Sequence, residues 1–187
     1  MPGRYAKKLA CAILKDQFGG LVESVCRSLI LKGVLSFAEL GRETGLRPDE
    51  LRNCLLVLVQ HNCVQAFRNE ADGTKTPTMY MALVDRILQR LRFPKFLLHI
   101  KEALGEEAAE SIIEGLMEHG RLSVEQLVQR SAEKSNRAEV VVGGSLKSAF
   151  AALVREHYLE RVPRPEPVLP PRKAEAPKRM RGQVDGS

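Results

Sequence analysis

Residues 30–40 read ILKGVLSFAEL and residues 116–127 read LMEHGRLSVEQL. Both place apolar residues before Gly-x-Leu-Ser, then an apolar residue and a short helical pattern that closes on leucine. The two glycines, Gly33 and Gly120, are 87 residues apart. A second correspondence follows. Residues 58–64 (LVQHNCV) and 153–159 (LVREHYL) are 95 apart, and each reads as the end of a long helix entering a strand. The difference of eight residues places an insertion at EKSNRAEV, expected as a polar loop between the second and third helices of the second copy. A chain that repeats itself at this period is constrained to be one small module written twice. Its 187 residues fit two such units, each of roughly 80–90 residues.

The first copy shows what the module is. Tyr5 to Gln17 carries a helical apolar rhythm through Leu9, Ile13 and Leu14, and Gly19-Gly20 ends it. Leu21 to Lys32 repeats apolar residues at the same spacing, and Gly33 suits a left-handed cap. Ser36 is placed to cap a helix over Phe37 to Thr44, with Glu39 in its first turn. A third helix starts at Arg47-Pro48, with Leu51, Leu55, Leu58 and Val59 on its inner face. After Asn62 the period changes from 3.6 to 2. Cys63 to Phe67 and Thr78 to Ala82 read as strands around a turn marked by Asp72-Gly73. Three helices closed by a two-stranded hairpin describe a winged helix, a variant of the helix-turn-helix. The expected fold is therefore mainly α with small β wings, in tandem.

Leu83 to Leu91 reads as a connecting helix, interrupted by Pro94, with Lys95 to Leu104 resuming. In the second copy Glu106 to His119 is the inner helix, RLS at 121–123 repeats the one-rung strand, and Ser123 caps a helix to about Lys134. Tyr158 to Val162 is expected as the first strand of a second wing. No clear second strand follows, because the tail is rich in proline, which cannot donate to a ladder. The expected organisation is a first unit over 1–83, linker helices and a second unit with an incomplete wing over 84–162, and a disordered basic tail over 163–187.

Catalytic chemistry is not visible. Phosphate-loop, H-E-x-x-H and G-x-S-x-G patterns are absent. Cys11, Cys26, Cys54 and Cys63 match no zinc spacing and read as reduced thiols of an intracellular protein. Of the four histidines, His61, His119 and His157 fall at helix C-termini, where a partly protonated imidazole would interact favourably with the helix dipole. No cofactor, metal or small-molecule substrate is implied. No apolar run is long enough to span a bilayer, and no membrane partner is expected.

Charge bears on the partner. The net charge is +6, and half of it lies after Val162, where six basic residues face three acidic ones. The third helix of the first unit offers Arg47, Arg52 and Asn53 against Asp49 and Glu50. Its wing offers Arg68 and Lys75 against Glu70 and Asp72. The second unit offers Lys147. Such nearly neutral faces would release few counterions on a phosphate backbone, which favours protein docking over DNA reading. The most basic folded stretch is DRILQRLRFPKFLLHIK, with Arg86, Arg90, Arg92 and Lys95 as a possible partner-binding ridge.

Three stretches carry a family resemblance: VLVQHNCVQAF, RILQRLRFPKFL and IIEGLMEHGRLSVEQLVQR. Together they resemble the N-terminal region of the large winged-helix subunit of the RNA polymerase III initiation heterotrimer, over about Leu9 to Val162. The resemblance implies a non-catalytic nuclear subunit that docks on the polymerase clamp and on the other heterotrimer subunits, supporting initiation at small RNA genes with auxiliary DNA contact. That family carries four extended winged helices and a coiled coil, and the present sequence corresponds to the first two. The tail motifs PRK and KRMR would suit a nuclear import signal. The alternative is a stand-alone winged-helix DNA-binding regulator of transcription.

Overall fold

The computed structural model describes residues 3–67, 77–105, 107–135 and 139–162. The first unit is built from α1 (Arg4–Phe18), α2 (Gly20–Lys32), β1 (Leu35–Ser36), α3 (Phe37–Thr44), α4 (Pro48–Gln60), β2 (Val64–Phe67) and β3 (Met79–Ala82). Its sheet has the order β1-β3-β2 and is antiparallel throughout. Leu35 pairs with Tyr80, and Val64 pairs with Ala82. This is the winged-helix arrangement that the change of period implied. The turn at Asp72-Gly73 and the tail from 163 onward lie outside the described residues.

Helix boundaries follow from capping chemistry. The Ser36 hydroxyl accepts from the Glu39 N–H while the Glu39 carboxylate accepts from the Ser36 N–H at 2.7 Å, a reciprocal box that opens α3. Pro48 stands at the first position of α4, where a missing N–H costs nothing. The residue before it, Arg47, is extended, and its N–H donates to Glu50. The apolar stripes Ala10-Ile13-Leu14, Val25-Cys26-Leu29 and Leu51-Leu55-Leu58 then meet in one core, closed by Cys63 and Val64. Each leucine buried in this way contributes about 1.5–3 kcal/mol.

A connecting segment follows: α5 (Val84–Gln89), one 3₁₀ turn (Arg90–Arg92) and α6 (Phe93–Leu104). Pro94 was expected to interrupt helical character here. It sits instead in the first turn of α6, where proline is tolerated, so the break is a tightened turn ahead of it. Val84 and Ile87 pack into the first core, so by packing α5 belongs with the first unit although it follows the boundary at 83.

The second unit comprises α7 (Glu107–His119), α8 (Val124–Ser135) and α9 (Glu139–Arg155), with its own core of Ile112, Ile113, Leu127, Leu146, Ala149 and Leu153. Ile100 of α6 joins that core. The duplication persists to the level of individual hydrogen bonds. Gly33 and Gly120 both take positive φ, and their N–H groups donate to Leu29 and Leu116 at 2.9 and 2.8 Å. Ser123 and Gln126 repeat the box of Ser36 and Glu39. At the end of the third helix, Cys63 N–H reaches Leu58 O at 2.8 Å and Asn62 N–H reaches Val59 O at 3.1 Å. Tyr158 to Leu153 and His157 to Val154 repeat this pair at 2.9 and 3.1 Å. Both are Schellman caps, and both put a non-glycine residue in the left-handed region, Asn62 at φ 55° and His157 at φ 62°.

Two expectations about the second unit are corrected. The extra residues do not form a polar loop where they are described, and Asn136, Arg137 and Ala138 lie outside the described residues. α8 is four residues longer than α3, and α9 is four longer than α4. Glu133, Lys134, Ser135, Glu139 and Val140 of the expected insertion are helical. Glu133, Lys134 and Glu139 are good helix formers, and their propensity outweighs polarity as a loop signal. The second correction concerns strands. Neither 121–123 nor Tyr158 to Val162 forms one among the described residues. A strand requires a ladder partner, which β3 provides in the first unit. Here the Leu159 N–H instead bonds back to Leu153 O at 3.3 Å.

Candidate docking interface

The outer face of α4 is where a winged helix meets its target. Two of its three sequence-nominated residues are occupied locally. The Arg47 guanidinium donates to Glu50 at 2.9 Å, and Arg52 donates to Asp49 at 2.9 Å. The hydrogen bonds from Arg47 hold the Glu50 carboxyl below its ordinary range. Asn53 is exposed between them. Beside this neutralised rim the face is apolar. Leu56 is 61% exposed, and with Phe37, Val59, Ala66 and Tyr80 it lines a depression of about 380 Å³ between α4 and the sheet. Arg68 and Lys75 of the wing lie outside the described residues. Lys147 is exposed on α9, in the second unit.

The basic ridge of the linker divides in two. Arg86, Arg92 and Lys95 are exposed. Arg90 is not a free cation. Its guanidinium lies over the rings of Phe18 and Phe93, at 4.8 and 5.0 Å from their centroids, and its Nε donates to Gln17. Burial lowers its pKa. Arg90 thereby clips the end of α1 to the start of α6, through contacts that favour arginine over lysine.

His61 completes this cluster. Its ring packs on Phe18 at 4.7 Å between centroids, and its Nδ1 is buried without a hydrogen-bond partner. Burial, then the charge of Arg90, pushes its pKa down to about 4. A partly protonated His61 serving the helix dipole is thus overturned. The imidazole is held neutral at physiological pH because desolvation and a neighbouring guanidinium outweigh the dipole at the end of α4.

The sequence did not reveal the junction between the units. Gln60, the last residue of α4, donates through its amide to the carbonyl oxygens of His119 and Arg121. Arg121 N–H returns a bond to Gln60 O at 3.2 Å, and the Arg121 guanidinium donates to Asn62 at 2.6 and 3.0 Å. Gly120 is required at this point. A Cβ there would collide with the Gln60 carbonyl, whereas one on Gly33 would meet open space. The repeated glycine is therefore a helix cap in both copies and a close approach in only one. Its signal was in the sequence, but its partner is sixty residues away.

The first unit is a winged helix with compensated charges on α4, and a second three-helix unit meets it at a tight junction. Residues 8–69 match the RNA polymerase III subunit RPC82 helix-turn-helix domain family. The chain is similar in sequence to RNA polymerase III subunit RPC3. It is 32% identical to DNA-directed RNA polymerase III subunit rpc3 of Dictyostelium discoideum, over 88% of its own length and 28% of that protein. It is 31% identical to RPC3 of Danio rerio and 28% identical to RPC3 of Homo sapiens, in each case over 83% of its own length and 29% of the relative. The chain thus spans under a third of the length of these relatives. The residues they match include both units, so the likeness extends well past the first helix-turn-helix segment.

Proposed function

We propose that this chain acts as a non-catalytic docking module of RNA polymerase III, in the nucleus, supporting initiation on small RNA genes. Its partners in this reading are the polymerase clamp and the other subunits of the initiation heterotrimer, with DNA contact auxiliary. The observation that carries the docking mode is the pairing of Arg47 with Glu50 and Arg52 with Asp49 beside exposed Leu56. A helix that reads DNA presents free cations and amides to base edges and phosphates. A helix that docks on protein presents an apolar centre with compensated charges at its rim. The likeness to RPC3 names the polymerase in which such a face would be used.

Fluorescence anisotropy with labelled duplex DNA across a salt series tests this reading. Docking predicts weak binding with a shallow salt dependence and little preference among sequences. A steep slope with strong preference for one duplex would favour the stand-alone regulator instead.

A further inference from the structure

A second surface lies away from the α4 face, in the trough between α1 and α2. It encloses about 760 Å³. Four cations line its α1 side: Arg4, Lys7, Lys8 and Lys15. At spacings of three, four and seven residues they fall on one face of the helix. Arg27 lines the α2 side. The floor is apolar, formed by Cys11, Ala12, Ile30 and Leu31, and Leu31 is 67% exposed. The one carboxylate present, Glu23, is 6% exposed and already bonded to Arg27 at 2.7 Å. Among the described residues, no carboxylate pairs with Arg4, Lys7, Lys8 or Lys15. Burial raises the Cys11 thiol, so the floor carries no negative charge of its own.

We infer that this trough binds an acidic amphipathic helix of a partner protein. Three features select that occupant. The uncompensated charge on the α1 wall calls for carboxylates. The apolar floor calls for a stripe of aliphatic side chains, which a phosphate backbone lacks. The cations extend from Arg4 to Lys15, about 16 Å along α1, or three turns of a helix laid beside it. Apolar residues at i, i+3, i+4 and i+7 of the guest would meet Ala12, Ile30 and Leu31, with glutamates on the flank toward α1 reaching the lysines.

The test uses the full chain and a labelled 18-residue synthetic peptide. The peptide carries leucines at helical spacing and glutamates on one flank. A scrambled peptide of identical composition and a random 20-base-pair duplex serve as comparisons. Anisotropy at physiological salt should give at least tenfold tighter binding of the amphipathic peptide than of the scrambled one. The exposed pair Lys8→Glu and Lys15→Glu should weaken it at least tenfold, and Leu31→Asp at least fivefold, with circular dichroism unchanged. Leu31→Asp should leave any duplex binding within twofold. Absence of peptide binding, equal binding of the scrambled peptide, indifference to Leu31→Asp, or preference for the duplex would each overturn the inference.

Discussion

At the scale of single residues, His61 and Gly120 make the sharpest predictions. His61 has a folded pKa of about 4 against an ordinary value of 6.5. The unfolded chain therefore binds the proton more readily. The contribution of the neutral ring is complete above about pH 6.5 and is lost as pH falls toward 4. The ring is only half-buried, so the loss is discounted for solvent screening to on the order of 1 kcal/mol. Urea melts at pH 7 and pH 4.5 should show it, and His61→Phe, which keeps the packing on Phe18, should reduce the difference. Gly120→Ala and Gly33→Ala form a second pair. Both place a side chain at positive φ, a cost of about 1–2 kcal/mol. Gly120→Ala also meets the Gln60 carbonyl. It should therefore lower the melting temperature clearly more than Gly33→Ala. Equal effects would mean that the junction is not held as described.

At the scale of elements, caps account for what was readable and tertiary contacts for what was not. Ser36, Pro48 and Gly33 are strong local signals, so the start of α3, the start of α4 and the end of α2 fell where they were expected. The alternation after Asn62 gave β2 and β3 for the same reason. The second wing failed because a strand depends on a partner that local pattern does not supply. The expected loop failed at residues 133–135 and 139–140 because helix propensity there outweighs polarity. Of the nominated contact residues, Arg90 proved to be a clip between Phe18 and Phe93, and nothing in its local sequence distinguishes it from Arg86. The paired capping boxes give this scale its own prediction. Ser36→Ala and Ser123→Ala should each cost about 1 kcal/mol. Hydrogen exchange should report the loss at the first turn of α3 in one variant and of α8 in the other. Loss spread over both units in either variant would argue against two separate cores.

At the scale of the whole molecule, two cores are joined by the α5–α6 segment and locked by Gln60, Asn62, Gly120 and Arg121. The hydrogen bonds across the junction join the two units directly, so a partner could meet both at once. In the proposed function this pair docks on RNA polymerase III through protein contacts, with the apolar centre of α4 contributing. The most direct measurement is affinity purification of the tagged chain from nuclease-treated nuclear extract, read by mass spectrometry, beside Leu56→Glu. The account predicts that RNA polymerase III subunits are recovered with the unaltered chain and reduced at least fivefold with Leu56→Glu, whose circular dichroism is unchanged. Recovery of none of those subunits, recovery abolished by nuclease, or full recovery with Leu56→Glu would contradict it.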